Sequence, residues 1–220
     1  MSTIHNSNTA CCTIPTVVPK DKYQEKGEYK PFGAFKKAYV VGNPKSGKTI
    51  IGPWDANNFP PQTDEDKQKL QDFFGGVANV GERVKDVGDL ADKLKADGAK
   101  FVGTIGFCWG GKVVTVAAGT GKTDAAVAIH PAMLDVKDAD NLKVPLGIFP
   151  SKDEPIEEYE KIIKSISNKD FASKNAYKVY PNMHHGWAAA RANLDDPENK
   201  KEYEDVYGTA VTFFKGVIAG

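Results

Sequence analysis

The sequence predicts an α/β fold in which helices flank a mostly parallel β-sheet. Short apolar segments of strand length alternate along the chain with longer segments of helical periodicity, and this alternation is typical of βαβ units. A chain of 220 residues is also long enough to bury a core without disulfides or metal ions. We therefore expect an irregular N-terminal arm over residues 1–33 and a single α/β domain over residues 34–220.

The first half of the predicted domain contains a strand within residues 34–41 and, after the glycine-rich link, two helices. The segment AFKKAYVV, residues 34–41, ends in aromatic and β-branched residues that favour a strand. Residues 63–74 suit a helix, because Thr63 can cap its first turn, three acidic residues follow, and a Gly-Gly pair ends the pattern. A second helix is expected over 81–98, where four apolar residues recur at helical spacing. They are Val84, Val87, Leu90 and Leu94.

The second half of the domain alternates strands and helices more regularly. Strands are expected at 101–107, 125–130, 144–150 and 175–181. Helices are expected at 112–119, 154–166 and 199–220. The last helix carries a continuous apolar stripe, which indicates that it packs on the sheet.

Composition narrows the classes of function. Basic and acidic residues number 29 each, so nothing indicates a nucleic-acid or acidic-membrane partner. The N-terminus MSTIHNSNTACC lacks the parts of a secretory signal, and no run of about 18 apolar residues could span a membrane. The adjacent Cys11 and Cys12 could serve redox or metal chemistry, but no further Cys–His spacing supports a metal site. We expect a cytoplasmic protein in which Cys11 and Cys12 are free thiols without a redox or metal-binding role.

One short motif indicates a nucleotide site but lacks its structural context. Residues 42–49 read G-N-P-K-S-G-K-T, which matches the phosphate-binding P-loop. A P-loop needs a helix that starts at about the Lys-Thr pair, so that its N-terminus faces phosphate. Here two isoleucines and then Gly52-Pro53 follow, and they cannot sustain a helix. We expect Lys48 to end a polar turn between two strands, with no nucleotide bound.

A second motif has the context it needs. In TIGFCWGGKVV, residues 104–114, a predicted strand enters a glycine-rich turn and a predicted helix follows directly. This is the G-x-nucleophile-x-G elbow with Cys108 in the nucleophile position. The turn is so tight that side chains two residues before and after the nucleophile would collide with backbone. The helix N-terminus favours the thiolate of Cys108, and the N–H of Trp109 can donate to an oxyanion. The alternative is a buried cysteine in a glycine-rich turn.

A cysteine nucleophile needs a base, and the base needs an orienting acid. In folds with this elbow the chain order is nucleophile, acid, histidine. Asp153 comes just after one predicted strand and His185 just after another, so both are expected at the carboxyl edge of the sheet, where active groups gather. The expected triad is therefore Cys108, His185 and Asp153.

Three other residues are weaker alternatives. Glu154 is adjacent to Asp153 but is expected in the first turn of the following helix. Asp135 follows the preceding strand. His130 ends its own strand but precedes any acid, so the chain order is wrong, and we expect it to be a packed residue.

Taken together, the segments GFCWGGK, SKDE and HHGWAAARA resemble the dienelactone hydrolase family, in particular its fungal branch. The resemblance extends to CCTIPTVV, GEYKPFGAFKKAYVV and FPPQTDEDKQKLQDFFGG, and so covers most of the chain. Family members are α/β-hydrolases that open dienelactones or related small esters with a Cys–His–Asp triad and without a metal or cofactor. The resemblance implies that Cys108 is the nucleophile, Asp153 the acid and His185 the base, with His184 as its neighbour.

The resemblance also implies how substrate is held. The family grips a substrate carboxylate with arginine, and Arg191 matches the region of one such residue, whereas Arg83 has weaker support. These are the only two arginines among the 29 basic residues, and a surface salt bridge is the alternative for both. Trp109 and Trp187 suggest a partly aromatic pocket. The implied ligand is a small ester or lactone, and the implied protein is a monomer or homodimer.

The match departs from the family after Ile51. In the family, the corresponding strand leads into a loop, a helix and a further strand, which supply a second oxyanion donor and an acidic residue near the cysteine. Here Ile50-Ile51 run directly into GPWDANNFPPQ, as if a block of a few tens of residues were missing. We therefore expect a sheet that lacks a strand–helix–strand unit and, with one oxyanion donor absent, slow turnover. Gly52 is the nearby residue whose N–H could replace that donor.

Overall fold

The computed structural model describes residues 26–32, 35–40, 48–51, 63–76 and 78–220 of the chain. The first two described segments form a small antiparallel sheet, in which β1 (Glu28–Phe32) pairs with β2 (Phe35–Val40). The predicted strand within 34–41 is confirmed. The expectation that residues 1–33 are irregular is wrong at 28–32, because Lys30 and Pro31 do not prevent pairing in a two-stranded sheet. Residues 1–25 lie outside the described part.

The remaining described strands form one parallel sheet, in which each strand pairs with the next along the chain. They are β3 (Lys48–Ile51), β4 (Phe101–Phe107), β5 (Ala125–Ile129), β6 (Leu146–Phe149) and β7 (Ala176–Tyr177). The α/β architecture predicted from the alternating pattern is confirmed. The last predicted strand is shorter than expected, although an isolated parallel bridge joins Ser151 to Tyr180 beyond it.

The P-loop string ends in this sheet. Lys48–Ile51 is strand β3, and it pairs with β4 from Lys48 opposite Phe101 to Ile51 opposite Thr104. A strand therefore occupies the place where a P-loop needs the first turn of a helix, as the residues after Lys48 predicted. The polar turn expected at 42–47 and the Gly52-Pro53 step lie outside the described residues.

Five α-helices are described. They are α1 (Asp64–Gly75), α2 (Val80–Ala96), α3 (Trp109–Ala118), α4 (Ile156–Ser165) and α5 (Pro197–Ala219). Side-chain caps begin two of them, because Asn79 accepts the N–H of Glu82 and Asp196 accepts the N–H of Glu198. None of these described helices has the length and apolar character needed to cross a lipid bilayer.

Helices cover both faces of the parallel sheet. On one face α5 buries Val206, Ala210, Phe213 and Phe214 against Phe101, Val127, Ile129 and Phe149. On the other face α3 and α4 bury Val114, Ala118, Tyr159 and Ile162 against Ala126, Leu146 and Ile148. Helix α2 packs on the outside of α3 through Val87. Each fully buried aliphatic or aromatic side chain contributes roughly 1.5–3 kcal/mol, so these clusters supply the main stabilisation of the fold.

Strand β3 lies at one edge of the sheet that the described residues form. Among the described residues its partner is β4 alone, so its other side has no described neighbour. This position is the one expected for β3 if a strand–helix–strand unit is missing after Ile51. The missing unit itself stays a prediction.

Candidate active site

The carboxyl ends of four adjacent strands bring the candidate residues to one edge of the sheet. The register aligns Phe107 with Ile129 and Ile129 with Phe149, so β4, β5 and β6 end at the same level. The next residues along the chain therefore share that edge, as is usual for the sites of open parallel sheets. They are Cys108 after β4, His130 after β5 and the segment 151–154 after β6, and the segment 184–185 follows β7.

The predicted strand–turn–helix elbow around Cys108 is present. Cys108 has φ 52° and ψ −126°, a conformation that non-glycine residues rarely adopt, and α3 begins at the next residue. A Cβ on Gly106 would lie 2.1 Å from the carbonyl oxygen of Gly110, so only glycine fits there. Cys108 is half-buried, and two hydrogen bonds fix its main chain. Its N–H donates to the carbonyl of Ile129, and its carbonyl accepts the N–H of Ala132.

Trp109 is the first residue of α3. The first N–H groups of a helix have no intrahelical acceptor, and the N–H of Trp109 is one of them. The indole ring packs edge-on against Phe74 of α1, with ring centroids 6.0 Å apart, and contacts the cluster that joins α2 to α3. Its part in an oxyanion hole stays a prediction.

The ring of His185 is held by Glu154. Nδ1 of His185 lies 2.7 Å from Oε1 of Glu154, and neither side chain is exposed to solvent. Asp153 instead accepts the main-chain N–H of His185, at 2.8 Å from Oδ2. The expectation that Asp153 contacts the ring is therefore wrong in this structure, and the neighbouring carboxylate takes that position. Of the two adjacent histidines, the expected one, His185, is the one whose ring meets a buried carboxylate.

The position at which α4 starts explains why Glu154, and not Asp153, contacts the ring of His185. We expected Glu154 in the first helical turn, but α4 begins at Ile156 and Pro155 occupies the N-cap position. A residue before proline is driven away from helical conformation, so Glu154 remains in the loop and its side chain turns inward. There it also accepts the N–H of Ser151. The Glu-Pro pair was the signal in the sequence that could have identified Glu154.

The loops after β6 and β7 are therefore joined at three points. Glu154 holds the ring of His185, Asp153 holds its main chain, and the N–H of Lys152 donates to the carbonyl of Met183 at 3.2 Å. Asp135, the other acidic alternative, serves elsewhere, since its carboxylate accepts the N–H of Lys137 and caps a short 3-10 helix over Val136–Ala139.

His130 lies within this site rather than merely at the end of its strand. Its ring is 1% exposed and packs edge-on against the ring of His185, with centroids 5.0 Å apart. Burial, followed by the charge of His185, lowers the pKa of His130 well below its usual range. The side chain is packed, as expected, but its neighbour is the candidate base.

The two arginines have different surroundings. Arg191 is 8% exposed and lies over Gly186, where an added Cβ would be 3.1 Å from its Cδ and Nη1 atoms. Arg83 forms an ion pair with Asp86 one turn along α2, at 2.8 Å, which is the surface salt bridge given as the alternative. The buried location of Arg191 suits a carboxylate-binding role better, and both roles stay predictions.

Trp187 does not line an open pocket as expected. Its side chain is fully buried in the core between the sheet and α5, where it packs against Tyr180 and His130. His184 beside it is half-buried, and burial lowers the pKa of its ring. No group of His, Cys, Asp and Glu side chains within the described ranges is arranged to hold a metal ion.

Comparison with known proteins decides the family. The model of the dienelactone hydrolase family matches residues 47–218. The chain belongs to the dienelactone hydrolase family. This family member is 34% identical over 156 residues to an uncharacterized AIM2 family protein of Schizosaccharomyces pombe, an alignment that covers 70% of this chain and 63% of that protein. It is 22% identical over 197 residues to the hydrolase tropI of Talaromyces stipitatus, covering 88% of this chain and 72% of that one.

Solved structures agree on the fold of this dienelactone hydrolase family member. The crystal structure of a dienelactone hydrolase from Anabaena variabilis superposes with a TM-score of 0.59 at 15% identity, covering 88% of this chain and 97% of that chain. At this sequence identity the likeness shows the α/β-hydrolase-like fold only. The activity has to be argued from the residues of the site. The chain spans about 63% of the length of its S. pombe relative.

Proposed function

We propose that this chain hydrolyses small lactones or carboxylic esters, with Cys108 as nucleophile, His185 as base and Glu154 as the acid that orients the base. The observation that carries this proposal is the 2.7 Å contact between the buried side chains of His185 and Glu154, at the same sheet edge as a strained cysteine elbow. Strained backbone and a buried carboxylate–histidine pair are costly, and they persist where function needs them. Family membership supports the same reaction class.

The proposed reaction has two halves. In the first, the thiolate of Cys108 attacks the carbonyl carbon, and the N–H of Trp109 stabilises the oxyanion. His185 then protonates the leaving alkoxide, and a thioester to Cys108 results. In the second half, water adds to the thioester carbonyl and gives a proton to His185, and the C–S bond breaks to release the acid. Glu154 keeps one tautomer of His185 and stabilises its protonated form throughout.

The preferred substrates in this proposal carry a carboxylate near the ester or lactone. Arg191 supports this, because it is one of two arginines in a chain whose other basic residues are lysines, and it is buried beside the loop that holds His185. A buried guanidinium is suited to a planar carboxylate, which can accept two parallel hydrogen bonds from it.

A second candidate function is binding without appreciable turnover. Two observations favour it: the side chain of His185 is not exposed at all, and β3 lacks a described neighbour on the side from which a second oxyanion donor is expected. Loss of one donor costs about 10²–10³ in rate. Gly52, which could replace it, lies outside the described residues.

One experiment separates the two candidates. Purified protein and the Cys108→Ala variant would be compared in hydrolysis of chromogenic short-chain esters, and both would be alkylated with iodoacetamide and mapped by peptide mass. We expect Cys108 to be alkylated readily and hydrolysis to depend on it, with the variant accounting for alkylation at Cys11 and Cys12. Alkylation of Cys108 without Cys108-dependent hydrolysis would favour binding alone.

A further inference from the structure

The ring of His130 holds two polar atoms that the proposed triad does not use. Neither Nδ1 nor Nε2 has a hydrogen-bond partner among the described residues, although the residue is 1% exposed. Buried polar side-chain atoms in folded proteins almost always bond to protein or to an ordered water. An apolar ring of this size would have avoided the cost, about 1–3 kcal/mol for a buried group without a partner. The histidine therefore needs an explanation beyond packing.

A strained backbone conformation sets the position of this ring. His130 has φ +36°, a left-handed conformation that costs a residue with a side chain roughly 1–2 kcal/mol. Hydrogen bonds on both sides maintain it, since its N–H donates to Phe149 at 2.8 Å and the next carbonyl, that of Pro131, accepts the buried hydroxyl of Tyr159 at 2.7 Å. The ring packs against His185, and the main chain on either side of His130 is bonded to Cys108 through Ile129 and Ala132.

Its surroundings keep the ring neutral. Burial comes first among the causes that lower its pKa, and His185, Arg191 and His184 add positive charge nearby, while the main chain of its own residue opposes the shift and is outweighed. A neutral imidazole presents one N–H donor and one lone-pair acceptor. The ring of Trp187, 5.2 Å away between centroids, adds an indole N–H that is also buried and has no described partner.

One ring nitrogen of His130 and the indole N–H of Trp187 can together bind one water, because a buried water needs two to four polar partners. The indole N–H donates to this water, and the ring nitrogen is either the N–H donor or the lone-pair acceptor of the neutral histidine. We propose that His130 and Trp187 hold a water molecule beside His185, and that this water is consumed in the second half of the reaction. This inference rests on the proposed hydrolase function, because it assigns the water of that same site.

The chemistry of the step is that of thioester hydrolysis. The oxygen of the held water forms a bond to the acyl carbon, and the proton it loses passes to His185. The C–S bond to Cys108 then breaks, the carboxylic acid leaves, and the thiolate of Cys108 and the protonated ring of His185 are restored for the next cycle. His130 takes up no proton in this sequence. It orients the water, and its neutrality avoids repulsion with protonated His185.

The matched variants are His130→Phe and Tyr180→Phe. The first keeps an aromatic ring but removes both nitrogen atoms. The second removes one polar atom from the same stack of rings, at Tyr180 against Trp187, without touching His130. Rapid mixing with a chromogenic ester separates acylation, seen as a burst of product, from deacylation, seen as the steady rate. Intact mass measures the acyl-enzyme.

For His130→Phe we expect a burst rate within about threefold of wild type, a steady rate at least tenfold lower, and accumulated acyl-enzyme. Hydroxylamine, which attacks a thioester without a positioned water, should restore turnover. His130→Gln, which keeps a donor and an acceptor, should lie between Phe and wild type, and Tyr180→Phe should match wild type. Equal slowing of both phases in His130→Phe, or no slowing, would overturn the inference.

A crystal structure of the wild-type protein tests the site without activity. We expect an ordered water within about 3.2 Å of a ring nitrogen of His130 and of the indole nitrogen of Trp187. A site without this water contradicts the inference even if hydrolysis occurs. If the water is present but no Cys108-dependent hydrolysis is found for any ester, the water site stands, its assignment to the reaction is wrong, and the proposed hydrolase function fails separately.

Discussion

Nδ1 of His185 lies 2.7 Å from Oε1 of Glu154, while the adjacent carboxylate of Asp153 accepts the N–H of the same histidine's main chain. Two consecutive acidic residues thus hold one histidine by different groups. A ring contact fixes the tautomer and supports a positive charge on the imidazole, whereas a main-chain contact fixes only the position of the loop. The two carboxylates should therefore differ sharply in their importance for catalysis.

Glu154→Gln should lower kcat about 10³–10⁴-fold, because an amide can stabilise the wrong tautomer and cannot stabilise the imidazolium. Asp153→Asn is the matched control, and it should lower kcat less than about tenfold, since the amide oxygen still accepts the main-chain N–H. Steady-state hydrolysis of one ester by both variants is the measurement. A larger loss in Asp153→Asn than in Glu154→Gln would return the acid role to Asp153.

Gly106→Ala should prevent the elbow from forming. The new Cβ would be 2.1 Å from the carbonyl oxygen of Gly110, and both main chains are fixed by the sheet and the helix. We expect a loss of more than about 3 kcal/mol in the free energy of unfolding. Gly208→Ala in α5 is the control, because nothing lies within 4 Å of its added Cβ, and it should raise stability by about 0.5–1 kcal/mol. Urea unfolding of the two variants measures the difference.

Folding stability should decrease as the pH falls below about 6.5. The pKa of His130 is lowered well below its usual value, first by burial and then by His185, with Arg191 and His184 also facing it. Below the pKa of a histidine in the unfolded chain, His130 binds a proton in the unfolded state and stays neutral in the folded state. The free energy of unfolding therefore falls by up to about 1.4 kcal/mol for each pH unit. Above pH 7 both states are neutral there and this contribution is constant.

The test of this pH dependence is urea unfolding at several pH values between 5 and 7.5. His130→Phe should show a shallower decrease than wild type, since one of the protons taken up on unfolding is gone. His184, whose pKa burial also lowers, remains in both proteins and keeps some slope. The same slope in both proteins would show that folding does not lower the pKa of His130.

Lys48→Ala should leave the affinity for ATP and GTP unchanged, because neither protein should bind them. The residues from Lys48 to Ile51 form a strand paired with β4, so no helix N-terminus is formed there to receive phosphate. Calorimetric titration of both nucleotides is the measurement. Micromolar binding that Lys48→Ala abolishes would show that the P-loop string is functional.

The sequence alone determined the elements whose signals are local. The strand–turn–helix around Cys108 follows from a strand pattern, a turn that only glycine permits and an apolar helix, and the structure has each of them. The parallel sheet follows from the alternation of strands and helices, and the rejection of the P-loop follows from the residues after Lys48. In each case neighbouring residues carry the physical cause.

Tertiary structure decided what depends on side chains that are distant along the chain. Asp153 and Glu154 are adjacent in sequence, and which of them reaches His185, more than 30 residues later, depends on where α4 starts and how two loops dock. From the sequence, His130 is interpreted as a packed residue at the end of a strand. The packing of β5 beside β6, and of β6 beside β7, brings its ring to His185. Trp187 reads as a pocket aromatic, but α5 covers it. The sequence states which groups are available, and the burial of one element by another decides which of them meet.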